Sequence, residues 1–161
     1  MAGAKGKGGA GEGGIRIISE NRKARASYSV DEKIEAGLVL TGSEVKALRA
    51  GTANLSDAYA LPKGNELFLL NAHIGLYNPS SYFTHEALRG RKLLLHREQI
   101  ERWNTKVRER GYSIIPLVLY FKQGRAKVEL GLCKGKTHED RRQDIKERET
   151  KREMDRAMRR R

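Results

Sequence analysis

Residues 34–59, IEAGLVLTGSEVKALRAGTANLSDAY, decide how this chain is read. Leu38 and Leu40 alternate with Val39 and Thr41, the period of two by which a strand turns one face into a core. Gly42 breaks that strand. Ser43 is placed to cap a short helix in which Val45 and Leu48 share one face while Glu44, Lys46 and Arg49 lie on the solvated side. Gly51 ends the helix. A bent strand that feeds a one-turn helix and returns over residues 55–59 suits the corner of a small closed barrel better than an open sheet with long helices.

Working outward, residues 15–18 begin the ordered chain and residues 28–30 form a first strand. On the other side, residues 57–61 and 66–74 read as a hairpin across Pro62, Lys63, Gly64 and Asn65. Periodicity is lost over residues 77–90, a long surface loop. Residues 91–95 are a short apolar strand or the lead-in to a helix. Over residues 97–110, Ile100, Trp103 and Val107 fall on one helical face, and Gly111 supplies the stop. Two strands follow, 112–121 and 126–133. Val128, Leu130 and Leu132 face inward in the second, with Lys127, Glu129 and Gly131 outward, and Pro116 marks an edge or a bulge in the first. Residues 26–133 thus give six or seven strands and one substantial helix, enough for one modest core.

A chain of 161 residues is one domain with extensions. Its 33 Lys and Arg outnumber 20 Asp and Glu, for a net charge of +13, and a polyanion is the default partner. The excess sits at the ends. Residues 1–25 carry six basic and two acidic side chains, and residues 134–161 carry twelve and seven. Such ends track phosphates or serve as solubilising tails. Residues 1–14, almost all Gly, Ala and Lys, cannot bury enough apolar surface to become ordered, so the domain is expected over residues 15–136 and a basic tail over 137–161. In that tail Asp144 and Arg148, Glu147 and Lys151, and Asp155 and Arg159 are spaced by four, each pair favouring a helix by about 0.2–0.5 kcal/mol. The sum is marginal for a lone helix, so the tail is expected to be disordered or helical, becoming helical along an anion.

Enzymatic and metal chemistry find little support. Gly6, Gly8 and Gly11 satisfy G-x-G-x-x-G, but no strand precedes them and no helix follows. Residues 131–137, GLCKGKT, are one residue short of a phosphate-binding loop, whose successive N–H groups must wrap the phosphates. His73 reads as a core residue, His96 as a helix cap or phosphate contact, and His85 and His138 have no nucleophile nearby in sequence. One cysteine, Cys133, and four scattered histidines argue for a reducing compartment and against a metal site. No apolar run approaches the roughly 18 residues that span a bilayer, and no secretory leader is visible, so a cytoplasmic protein without cofactors is expected.

The motifs NRKA (21–24), EAG (35–37), GSEVKALRAG (42–51), ANLSD (53–57), RKLLL (91–95) and GK (135–136) occur in order and spacing that resemble the SsrA-binding protein family, also called small protein B. The resemblance covers about residues 15–150. It implies a mainly β, OB-like closed barrel with one or two flanking helices, and no enzymatic activity. It implies a non-enzymatic partner of transfer-messenger RNA in trans-translation, a monomer that grips the tRNA-like domain. Through that RNA it would meet an elongation-type GTPase and the ribosome, at the decoding centre and mRNA channel.

Asn21, Glu35 and Leu94 match family positions on the RNA-binding face, where the Asn21 amide and Glu35 carboxylate can read base edges or 2′-hydroxyls. Arg22, Lys23, Lys46, Lys92, Lys134 and Lys136 would serve the same RNA as cations. Asp140, Arg141 and Arg142 match the signature at the head of the family's tail, with Lys146 and Arg148 following toward the decoding site. Ala87 replaces a common proline, Glu139 a common His or Tyr, and Thr150 an aromatic. The alternative, from composition alone, is a structural ribosomal protein that packs a barrel and basic tails on rRNA.

Overall fold

The computed structural model describes residues 14–76, 86–136 and 138–160, with no side-chain placement for residues 138 and 139. The expectations for residues 1–13, for most of the 77–90 loop with His85, and for the side chains of His138 and Glu139 lie outside the described residues. The elements in chain order are β1 (Ile15–Glu20), α1 (Arg22–Ser27), β2 (Tyr28–Leu38), α2 (Gly42–Arg49), β3 (Ala53–Asn54), β4 (Tyr59–Lys63), β5 (Glu66–Leu70), β6 (His73–Ile74), β7 (Arg91–Leu94), α3 (Arg97–Arg110), β8 (Ser113–Lys122), β9 (Arg125–Gly135) and α4 (His138–Arg159).

The strands join in the order β1-β8-β4-β5-β7-β2-β9, and β9 returns to pair with β8. Six strands therefore close a ring of antiparallel neighbours, and β1 is added along the far half of β8. The expected mainly β closed barrel with flanking helices is what the chain builds. Leu67, Leu69, Leu93, Leu119, Val128 and Leu130 fill its interior at 1% exposure or less. Ala47 and Leu48 of α2 and Trp103 of α3 join the same core.

β2 is one strand of eleven residues, not two short pieces around a charged break. Asp31 is accommodated by a bulge where Val30 and Glu32 face successive residues of β9. Glu32 then accepts hydrogen bonds from Trp103 Nε1 at 2.9 Å and Lys106 Nζ at 2.8 Å, which pins α3 to β2. Those two donors hold its carboxyl below the ordinary value, Lys106 most strongly and against the opposing effect of burial. Pro116 does mark a bulge: β9 residues Leu130 and Glu129 face Pro116 and Val118, with Leu117 extra. The β4–β5 hairpin turns at Gly64, φ 63°, and Asn65, while Pro62 and Lys63 belong to β4.

One helix is added to the expected elements, and several local readings are corrected. Residues 22–27 form a helix capped by Asn21, whose Oδ1 accepts from Ala24 N at 3.0 Å. Gly131 is buried instead of facing solvent, because α1 covers the outer face of β8 and β9 there and Leu117, Cys133 and Ala24 pack under it. Thr41, not Ser43, occupies the N-cap position of α2.

Glu44, expected on the wet side of α2, is fully buried. Its carboxylate meets Arg91, itself fully buried, and Arg89 Nη2 at 2.6 Å. Arg91 goes on to donate to the carbonyls of Ala72 at 2.7 Å and Ala87 at 3.1 Å. Ala87 thus has a held carbonyl, which also accepts from Ile74 N at 3.0 Å. His73, expected in the core, is exposed, since its neighbour Ile74 takes the inward position on β6.

Candidate nucleic-acid interface

Side chains alternate along β2, so Ile34 and Ala36 turn toward the barrel interior while Glu35 and Gly37 face out. Gly37 pairs with Leu94 of β7 on one side and Lys127 of β9 on the other. A Cβ at Gly37 would lie 3.2 Å from the Leu94 Cβ. The missing side chain therefore leaves Leu94, 53% exposed, flush with the sheet beside Glu35. A shallow groove of about 290 Å³ runs past this point, lined by Gly37, Leu40, Val45, Leu94, Arg125 and Lys127. Lys46 is exposed on α2 next to Val45, and Lys92 faces out two residues before Leu94, paired with Glu66 at 2.9 Å.

Glu35 does not stand free on this face. Its Oε2 accepts a hydrogen bond from the hydroxyl of Tyr120 on β8, with Lys122 Nζ at 3.5 Å. The Tyr120 bond is the main reason its carboxyl is held below the ordinary value, with burial opposing and Lys122 and Lys127 assisting. Burial and the neighbouring carboxylate push the Tyr120 phenol far up, so it stays a donor.

Further exposed cations lie on α1 and toward the other end of β9. Arg22 and Lys23 are exposed on α1, Lys23 being 3.0 Å from Asp57. Lys134 places its ammonium 4.5 Å from the centroid of the Tyr112 ring. Beyond it α4 carries Asp140, Arg141, Arg142, Lys146 and Arg148 into solvent. Among the described residues no group of three or more His, Cys, Asp or Glu side chains could hold a metal ion, and no helix is long and apolar enough to cross a membrane.

Residues 18–160 match the protein family described as SmpB protein. The chain belongs to the SmpB family. It is 75% identical over 160 residues to the SsrA-binding protein of Myxococcus xanthus (strain DK1622), covering 99% of each chain. Identity is 60% to that of Anaeromyxobacter sp. (strain Fw109-5) over 98% of each chain, and 53% to that of Thermobifida fusca (strain YX) over 92% of each. A solved structure reported as "tmRNA-SmpB: a journey to the center of the bacterial ribosome" contains a chain 41% identical to this one. The TM-score is 0.64, with coverage of 79% of this chain and 93% of that one.

In this SmpB-family chain the structure brings Glu35, Leu94 and Lys92 onto one outer face, with Lys46 at its border. It leaves Arg22 and Lys23 on α1 and Lys134 on β9, and sets the tail residues apart on α4. Two assignments change. Asn21 is 1% exposed, and its Nδ2 donates to the carbonyls of Leu55 at 2.9 Å and Pro116 at 3.0 Å. With its Oδ1 capping α1 and its backbone N–H on Leu117 O at 2.8 Å, it stitches the β8 bulge and cannot reach a base edge. Lys136 has only 12% of its side chain exposed, and donates to Arg25 O at 3.1 Å and to Asp144. It roots the tail helix, so it is not a free phosphate contact.

Sequence reasoning missed Tyr120 and Lys122 as partners of Glu35. One signal was available: residues 113–122, SIIPLVLYFK, are apolar at both parities, which means that the outward face of that strand is also covered.

Proposed function

We propose that this chain is an RNA-binding factor of trans-translation, one that binds the tRNA-like domain of transfer-messenger RNA and accompanies it to stalled ribosomes. The observation that carries this reading is the family match over residues 18–160, joined to relatives named as SsrA-binding proteins that are matched over nearly their full lengths. A net charge of +13 supplies the affinity for a polyanion. The outer face of β2 and β7 supplies what a bare charge cannot. Glu35 is an acceptor that rewards a base amine or 2′-hydroxyl and repels a phosphate, and Leu94 is an exposed apolar surface for a sugar or an unstacked base.

The barrel, residues 15–136, fixes affinity for the RNA, while the tail, 137–161, enters the mRNA channel and reports an unoccupied decoding centre. Contact with an elongation-type GTPase runs through the RNA, the factor acts as a monomer in the cytoplasm, and no catalytic residue is assigned. Glu35→Ala should weaken binding to transfer-messenger RNA more than to an unrelated duplex of equal length, by roughly 1–3 kcal/mol. Equal losses on the two RNAs in a filter-binding titration would make Glu35 a structural residue. Sequencing the RNA that co-purifies with the tagged chain tests the partner itself, and recovery of bulk tRNA or rRNA in its place would overturn the reading.

A further inference from the structure

Glu35 has three side-chain torsions, and an unrestrained carboxylate loses their freedom when it is captured by a ligand. Here that freedom has already been removed. Tyr120 is 7% exposed, its ring lodged in the outer cluster with Ile115, Leu117 and Val118 under α1, so its hydroxyl is fixed by packing. That hydroxyl is the donor to Glu35 Oε2, across 85 residues of sequence. Lys122, at 3.5 Å, is too distant to orient the group alone. Oε1 makes no hydrogen bond with any described residue and remains as an acceptor on the face shared with Leu94.

We infer that Tyr120 is a positioning residue for RNA binding, which holds the Glu35 carboxylate in one orientation with Oε1 presented to a donor of the RNA. The inference rests on the reading of Glu35 given above. Tyr120 itself is too buried to touch the RNA. Its contribution is preorganisation, the removal of an ordering cost that would otherwise weaken affinity. The bond also keeps the carboxyl ionised into more acidic solution. The other groups facing Glu35 are Lys122 on β8, Lys127 and Glu129 on β9, and Lys33 on β2, the last paired with Glu129 at 3.5 Å. Each of these stays in place when only the Tyr120 hydroxyl is removed.

The test is a double-mutant cycle in the full chain with Tyr120→Phe, Glu35→Gln and both together, titrated with transfer-messenger RNA. Tyr120→Phe keeps the ring, so the fold should persist. It should weaken binding roughly three- to tenfold, the ordering cost of one immobilised side chain, and should add nothing in the Glu35→Gln background. The affinity advantage of the Glu35 carboxylate over the Glu35→Gln amide should also survive to lower pH when Tyr120 is present than in Tyr120→Phe, because the hydroxyl lowers the Glu35 pKa. A ¹³C titration of the Glu35 carboxyl in the free protein should show the same displacement. If Glu35→Gln leaves affinity unchanged, the reading of Glu35 fails. If Glu35→Gln weakens binding while Tyr120→Phe does not, or if the two losses add, the positioning role is refuted. A loss that is equal at every pH would reduce Tyr120 to a packing residue.

Discussion

Glu44 shows how far one residue's role can lie from its local pattern. Helical spacing puts it beside Lys46 and Arg49, yet it is fully buried against Arg91 and Arg89, 47 and 45 residues away. Removing one partner of a buried pair leaves an unpaired charge in low dielectric, so Glu44→Gln should cost about 3–5 kcal/mol in urea unfolding. Burial alone would raise the Glu44 pKa, but the two arginines outweigh it and hold it below the ordinary carboxylate value. A carboxyl lowered on folding contributes stability that is complete above its unfolded value and is lost as pH falls through the folded one. Stability should therefore hold from neutral pH to about 5 and fall below it, with a shallower fall in Glu44→Gln. Asn21 has the same lesson for the site. The family resemblance suggests a place for it on the binding face, but three of its hydrogen bonds lie inside the fold, and only long-range contacts reveal that.

At the scale of elements, legibility followed the strength of periodic burial. α3 could be read to the residue because Ile100, Trp103 and Val107 repeat at helical spacing and Gly111, φ 67°, closes it in the left-handed region. α1 could not, since RKARAS buries only Ala24 and leaves no period to detect. In the sequence β2 reads as a strand at 28–30 and a separate stretch from Ile34, because the charged run Asp31, Glu32 and Lys33 interrupts its apolar pattern, whereas a bulge and the reach of α3 accommodate that run. The tail is helical from His138 to Arg159, the second of its two expected conformations. Asp144, expected to support Arg148 along the helix, instead meets Lys136 at the tail's root. Beyond that contact the α4 side chains are exposed, so its stability is that of an isolated helix of 22 residues. Ellipticity at 222 nm should fall gradually on heating before the near-ultraviolet signal of Trp103 reports the cooperative loss of the barrel. Coincident transitions would mean that the tail is packed on the barrel. Asp144→Asn should leave the barrel transition within about 1 kcal/mol while broadening the distance distribution between spin labels on barrel and tail.

For the whole molecule, the decisive property is how charge and contact are divided. The ring of β8, β4, β5, β7, β2 and β9 buries its core without a residue from α4, and the tail carries ten cations and seven anions over residues 137–161. Two consequences separate. Ending the chain after Lys136, which keeps its backbone bond to Ser27 O at 3.1 Å, should preserve the barrel's melting temperature and specific RNA affinity while abolishing peptide tagging on stalled ribosomes. A collapse of RNA affinity in that variant would show that the two halves share one binding surface. On the barrel, a cation that meets phosphate contributes to every RNA alike, whereas an oriented acceptor does not. Lys46→Ala should therefore weaken cognate and unrelated RNA equally and flatten the slope of log K against log salt by about 1. Glu35→Ala should leave that slope within error and change the ratio of the two affinities. The opposite pattern, with Lys46 setting the ratio and Glu35 the slope, would place recognition on α2 and leave the β2–β7 face as scaffold.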